Sequence, residues 1–172
     1  MHKLYSILIA MVAFVFFAPL AVAKPPFWDD QVNNTGRFKV LSEFSNAAVF
    51  DKETGLVWDQ SPNTTTRTWF NALTHCYQRE VGSRKGWRLP TVEELTSLVD
   101  INNISPALPT GHPFTLTSAQ EDGGYWSATT DAFNTSRAWG VDLGGGSDVS
   151  TGDKSGSSFV WCVRGGRGID GV

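Results

Sequence analysis

Gly86-Trp87-Arg88-Leu89-Pro90-Thr91-Val92-Glu93-Glu94-Leu95-Thr96-Ser97-Leu98-Val99-Asp100 is the stretch on which the reading of this chain turns, because several independent local signals agree there. Pro90 fixes its own φ and holds Leu89 extended, so the residues before it read as a short strand. Thr91 followed three residues later by Glu94 is a capping box, in which each side chain satisfies a backbone donor that the helix start would otherwise leave unpaired. A helix is therefore predicted from Thr91. Val92, Leu95, Leu98 and Val99 recur at helical spacing and form its apolar face, while Glu93, Glu94, Thr96 and Ser97 are left for solvent and for the positive end of the helix dipole. By itself this stretch specifies architecture rather than chemistry.

Working outward, the chain of 172 residues carries a formal charge of −3. Residues 1–23 read as a signal peptide: Met1-His2-Lys3 is a positive start, residues 4–20 an apolar run broken by Pro19, and Ala21-Val22-Ala23 an A-x-A cleavage site. The expected product is exported, to the periplasm, the medium or the cell surface, with no membrane span after cleavage. Losing Lys3 takes the charge from −3 to −4, which excludes a general nucleic-acid binder; any polyanion contact has to be local. Cys76 and Cys162 are the only cysteines, and an even pair in an exported chain reads as a disulfide. It would close a loop of about 87 residues, for which chain entropy gives roughly 4–5 kcal/mol.

Residues 24–36 are rich in Pro, Asn and Asp and read as a leader along the surface. Residues 37–41 and 47–51 alternate as strands, and Lys52-Glu53-Thr54-Gly55 turns the second into Leu56-Val57-Trp58. A polar loop over residues 61–67 precedes Trp69, Ala72, Leu73, Cys76 and Tyr77, whose spacing predicts a first helix with Cys76 on its buried face. Residues 101–124 form a long Pro-containing connection, of a length that tends to carry function. Residues 125–127, 138–143 and 159–164 read as strands, the last apolar on both faces as in a central strand, with turns over 144–146 and 148–158 and a flexible tail over 167–172.

This order resembles a known family. Ala48-Val49-Phe50-Asp51 with Thr54-Gly55-Leu56-Val57-Trp58, then Trp69, Ala72 and Cys76, Trp87-Arg88-Leu89-Pro90-Thr91 with Glu94-Leu95, His112-Pro113-Phe114, Tyr125-Trp126-Ser127-Ala128-Thr129, Ala138-Trp139 and Trp161-Cys162-Val163-Arg164 resemble the Lcl C-terminal domain family over residues 37–166. The resemblance implies an α+β, C-type-lectin-like fold close to the formylglycine-generating-enzyme variant. Two helices, antiparallel sheets and a long loop region would be held by a disulfide from a helix to the last strand. The family's best-known member is the terminal domain of a bacterial collagen-like adhesin that binds sulfated glycans. The Gly-X-Y stalk of that adhesin does not occur here.

The chemistry expected is binding rather than catalysis. The oxidase of the related fold needs a reactive cysteine pair, and the two cysteines here match the structural bridge; an iron-dependent relative needs three histidines, and only His75 and His112 follow the signal. No cofactor or metal is expected, and the loop carboxylates Asp122, Asp131, Asp142, Asp148 and Asp153 read as solvated. Of the seven tryptophans, Trp58, Trp69, Trp87, Trp139 and Trp161 are assigned inward, leaving Trp28 and Trp126 for exposure. Arg79, Arg84, Lys85 and Arg88 form the one dense basic patch. Together with Trp126 they are the ligand-binding candidates, for an anionic or neutral glycan in an adhesin-like role, the arginines suiting sulfate or carboxylate groups where the glycan bears them. The alternative is a protein-interaction or structural domain of the bacterial envelope. A hydrolase would rest on His112, Ser118 and Asp122 alone.

Overall fold

The structure, a computed structural model, describes residues 34–144 and 148–165. The expected signal peptide, residues 24–33 of the leader, and the tail lie outside the described residues. Among the described residues mixed helix and sheet is observed, with ten short strands in two five-stranded sheets. Sheet one has the order β1-β2-β3-β10-β5, made of Phe38–Val40, Ala48–Asp51, Val57–Asp59, Val163–Arg164 and Trp87–Arg88, all antiparallel. Sheet two has the order β4-β9-β6-β7-β8, made of Asn63–Thr68, Ser157–Val160, Gly124–Thr130, Arg137–Asp142 and Val149–Asp153. One of its pairings, β6 with β9, is parallel.

Helix α1 is the single turn Asn34–Arg37, α2 spans Trp69–Gln78, α3 Val92–Thr96 and α4 Ser118–Glu121. The capping box at α3 forms as read: Glu94 N–H donates to Thr91 Oγ1 at 3.3 Å and Thr91 N–H to the Glu94 carboxylate at 2.9 Å. Leu95 and Leu98 are buried. Trp69, Ala72 and Cys76 turn inward from α2, as their spacing requires, but Tyr77 is 81 % exposed. Residues 101–124 are pinned by the buried side chains of Ala107, Leu108, Phe114 and Gln120, and a second capping box, Thr117 with Gln120, starts α4 within them. Among the described residues no helix is long and apolar enough to cross a membrane.

Three expectations are corrected. Residues 61–67 are not simply a loop: Asn63–Thr68 is β4, paired with β9. Its threonines are β-branched and suit an extended chain, and their polarity follows from the exposed side they occupy. Residues 148–158 contain β8 and the start of β9 rather than turns alone. Residues 159–164 are two strands in two different sheets: Val160 pairs with Asn63 in sheet two, while Val163 pairs with Trp58 and Arg88 in sheet one. Trp161 and Cys162 make the crossing, which is why the run is apolar on both faces.

Cys162 bonds to Cys76, Cα–Cα 5.4 Å, and so ties α2 to this crossing. Strand alternation divides the core into two clusters. Ala48, Trp87, Trp126, Val160 and Cys162 face one, with the disulfide, Trp69 and Phe44. Val49, Trp58, Tyr125, Trp161 and Val163 face the other, with Leu95, Leu98 and Phe114. Trp161 is the hub of the second: its ring lies 4.8 Å from Phe114, 5.5 Å from Tyr125 and 5.7 Å from Trp58 between centroids, and its indole N–H donates to the Asp59 carbonyl at 2.7 Å. Edge-on and tilted aromatic contacts of this kind contribute about 0.5–1.5 kcal/mol each beyond area burial.

Candidate functional site: a basic groove on sheet one

The register of sheet one lines up residues far apart in sequence. Lys39 lies opposite Phe50, Phe50 opposite Val57, and Val57 opposite Arg164. Directly opposed residues of antiparallel strands share a face, so this row places an apolar floor, Phe50 and Val57, between two cations. Both floor residues are half-buried and pack on the first core cluster.

A groove of about 510 Å³ opens on this row, lined also by Leu41, Glu43, Phe44, Lys52 and Arg84. Four cations, Lys39, Lys52, Arg84 and Arg164, thus face one carboxylate, Glu43. That is a local charge of +4 − 1 = +3 on a chain whose formal total is −3.

Arg84 reaches the groove from a tight turn, in which Val81 and Arg84 exchange both backbone hydrogen bonds. The two central residues, Gly82 and Ser83, have φ of 55° and 59°, as the turn type with both central residues left-handed requires. A Cβ on Gly82 would fall 2.4 Å from the Phe44 Cα, so glycine alone lets the turn rest on Phe44. The Arg84 guanidinium then sits 4.8 Å from the Phe44 ring centroid and that of Arg164 6.0 Å from it, a cation–π arrangement. Arg164 is further held by its Nε, which donates to the Lys85 carbonyl at 2.9 Å. Lys52 donates to the Gly36 carbonyl at 2.6 Å.

The five residues expected to bind ligand are not brought together. Arg79 donates to Asp59 at 2.7 Å; burial pushes that carboxyl up and Arg79 opposes the push. Arg88 makes a two-pronged pair with Glu94, at 2.7 and 2.6 Å, and donates to the Gly165 carbonyl at 2.9 Å. Lys85 projects into solvent 3.7 Å from Glu80. Trp126, expected to be exposed, is only 3 % so, because its ring lies over Gly152 in the first core cluster and its indole N–H donates to the Arg67 carbonyl at 2.9 Å. Trp139, assigned inward, is half-buried. Only Arg84 lines the groove, and Lys39, Lys52 and Arg164 are additions that sequence reasoning missed.

His112 packs on the Phe114 ring, and its Nδ1 accepts from the Phe114 N–H at 3.3 Å. Burial pushes its imidazole down and Glu121 opposes this. Among the described residues no hydrogen bond joins it to Ser118 or Asp122. Nor does any group of three His, Cys, Asp or Glu side chains converge there as a metal would need.

The architecture is that of a disulfide-stapled domain of mixed helix and sheet, bearing a basic groove on a net acidic chain. Residues 47–164, well over half the chain, match the family model described as Lcl C-terminal domain, and the protein belongs to that family. No curated protein matches the chain.

Proposed function

We propose that the domain is an exported, non-enzymatic binding module that takes an anionic glycan, sulfated or carboxylated, in the groove on sheet one, in an adhesin-like role. The observation that carries this reading is the cross-strand row Lys39-Phe50-Val57-Arg164 with Arg84 and Lys52 at its rim. Arginine's planar fork suits sulfate and carboxylate, and charge-assisted bonds are the stronger ones. The apolar floor between the cations suits the C–H face of a sugar ring. Family membership supports a C-type-lectin-like reading of the two sheets and the staple.

The test is a glycan array with the purified protein at low and raised salt, with and without calcium. Sulfated or uronic-acid chains are expected to bind at low salt and fade as salt screens the contacts. A Lys39→Ala, Arg84→Ala, Arg164→Ala triple variant should lose those hits. An array that is blank, that depends on calcium, or that the triple variant leaves unchanged would overturn the reading.

A further inference from the structure

A second cleft, of about 560 Å³, lies where α2 begins, and its walls have a different chemistry. Phe70 is 65 % exposed although it follows the buried Trp69. The two rings meet edge to face at 5.1 Å and 81°, which sets the plane of Phe70. Thr135 and Ser136, from the β6–β7 loop, Asp153, the last residue of β8, and Lys154 and Ser155, from the turn that follows it, complete the lining. These segments are tied through the backbone: Trp69 N–H donates to the Lys154 carbonyl at 3.1 Å and Lys154 N–H to the Ser136 carbonyl at 2.9 Å.

The one cation here is already engaged. Lys154 Nζ sits 4.0 Å from the Trp69 ring centroid and donates to Thr130 Oγ1 and to the Thr135 carbonyl, both at 2.9 Å. Asp153 is exposed and makes no ion pair among the described residues. What the cleft offers a ligand is therefore one fixed aromatic face, the hydroxyls of Thr135 and Ser155, that of Ser136, which donates to Asn134 Oδ1 at 2.7 Å and is left to accept, and a carboxylate that accepts hydrogen bonds and repels anions.

We infer that this cleft is a subsite for an uncharged sugar, with a pyranose stacked by its C–H face on Phe70 and its hydroxyls donating to Asp153 and Ser136 and exchanging hydrogen bonds with Thr135 and Ser155. A molecule with an apolar face and a polar edge matches these walls. An apolar peptide side chain does not, since five of the six lining residues are polar. The subsite shares no residue with the basic groove and stands whether or not the groove takes an anion.

Saturation-transfer NMR and titration with cellobiose, lactose and chitobiose test it on the full chain. At least one sugar should bind with no dependence on salt, because no net charge is matched. Phe70→Ala should weaken it roughly 3- to 10-fold, the equivalent of one aromatic contact. Phe70→Trp should retain it, Asp153→Asn should weaken it, and Arg84→Ala should leave it unchanged. Phe70 is exposed, so an unaltered thermal melt is expected and confirms that Phe70→Ala is folded. No signal from any of the three sugars, or equal binding by Phe70→Ala, overturns the inference. So does self-association of the chain that Phe70→Ala abolishes, which would assign the ring to a second copy.

Discussion

Arg37 and Arg84 carry the same guanidinium and end in opposite surroundings. Arg37 is 6 % exposed; it donates to both Asp51 oxygens at 2.9 and 2.7 Å and to the Ser97 carbonyl at 2.7 Å, locking the β2–β3 turn to the end of α3. Arg84 rests on Phe44 beside three other cations and makes no ion pair among the described residues. Arg79 and Arg88 belong with Arg37, and Lys39, Lys52 and Arg164 with Arg84. Positive charge among the described residues is thus divided between cations paired with a carboxylate of the same chain and groove cations that make no such pair. Density along the sequence does not tell the two apart, since Arg79, Arg84 and Arg88 are close neighbours in the chain.

The sharpest way to break this division is Arg37→Ala, which strands the fully buried Asp51 carboxylate. A loss of about 3–5 kcal/mol is expected from urea unfolding. A change near zero would place Arg37 with the groove cations.

Glu94→Gln comes next, removing the charge that Arg88 meets, at a cost of roughly 1–3 kcal/mol near neutral pH. Burial alone would raise the Glu94 carboxyl, but the Arg88 hydrogen bonds and the Thr91 N–H hold it below its ordinary value of 4.5. The folded chain therefore binds that proton more weakly than the unfolded one. The stabilisation is present above about pH 4.5 and is lost as pH falls through the lower folded value. Urea midpoints measured down an acid series should show that loss in the parent and less of it in Glu94→Gln.

The smallest effect belongs to Lys39→Ala, expected to shift stability by no more than about 0.5 kcal/mol. A large loss there would mean that the groove cations also hold the fold.

Much of the scaffold was legible because its signals are local. The Thr91–Glu94 box, the inward spacing of Trp69, Ala72 and Cys76, and the Lys52–Gly55 turn each lie within one element and follow from backbone and side-chain geometry there. Residues 61–67 and 148–158 were misread because polar strands at the sides of a sheet show little hydrophobic alternation. Trp126 was misplaced because its burial depends on Gly152, a strand partner's neighbour that only the fold brings beneath it. The groove was illegible for the same reason. Lys39, Phe50, Val57 and Arg164 become neighbours through the register of four strands, and no spacing within one segment encodes that row.

The crossing at Trp161 and Cys162 bears on how such a chain can be assembled at all. Residues 157–164 follow every other described strand in the sequence, yet among the described residues β9 joins β4 to the rest of sheet two and β10 joins β5 to sheet one. A product ending before Ser157 would leave Trp58, Phe114 and Tyr125 without the ring they pack around and Cys76 without its partner. The described strands before Ser157 therefore complete neither sheet by themselves. Both sheets are closed by strand pairings between segments distant in sequence, the kind of contact whose loop-closure cost comes before its reward.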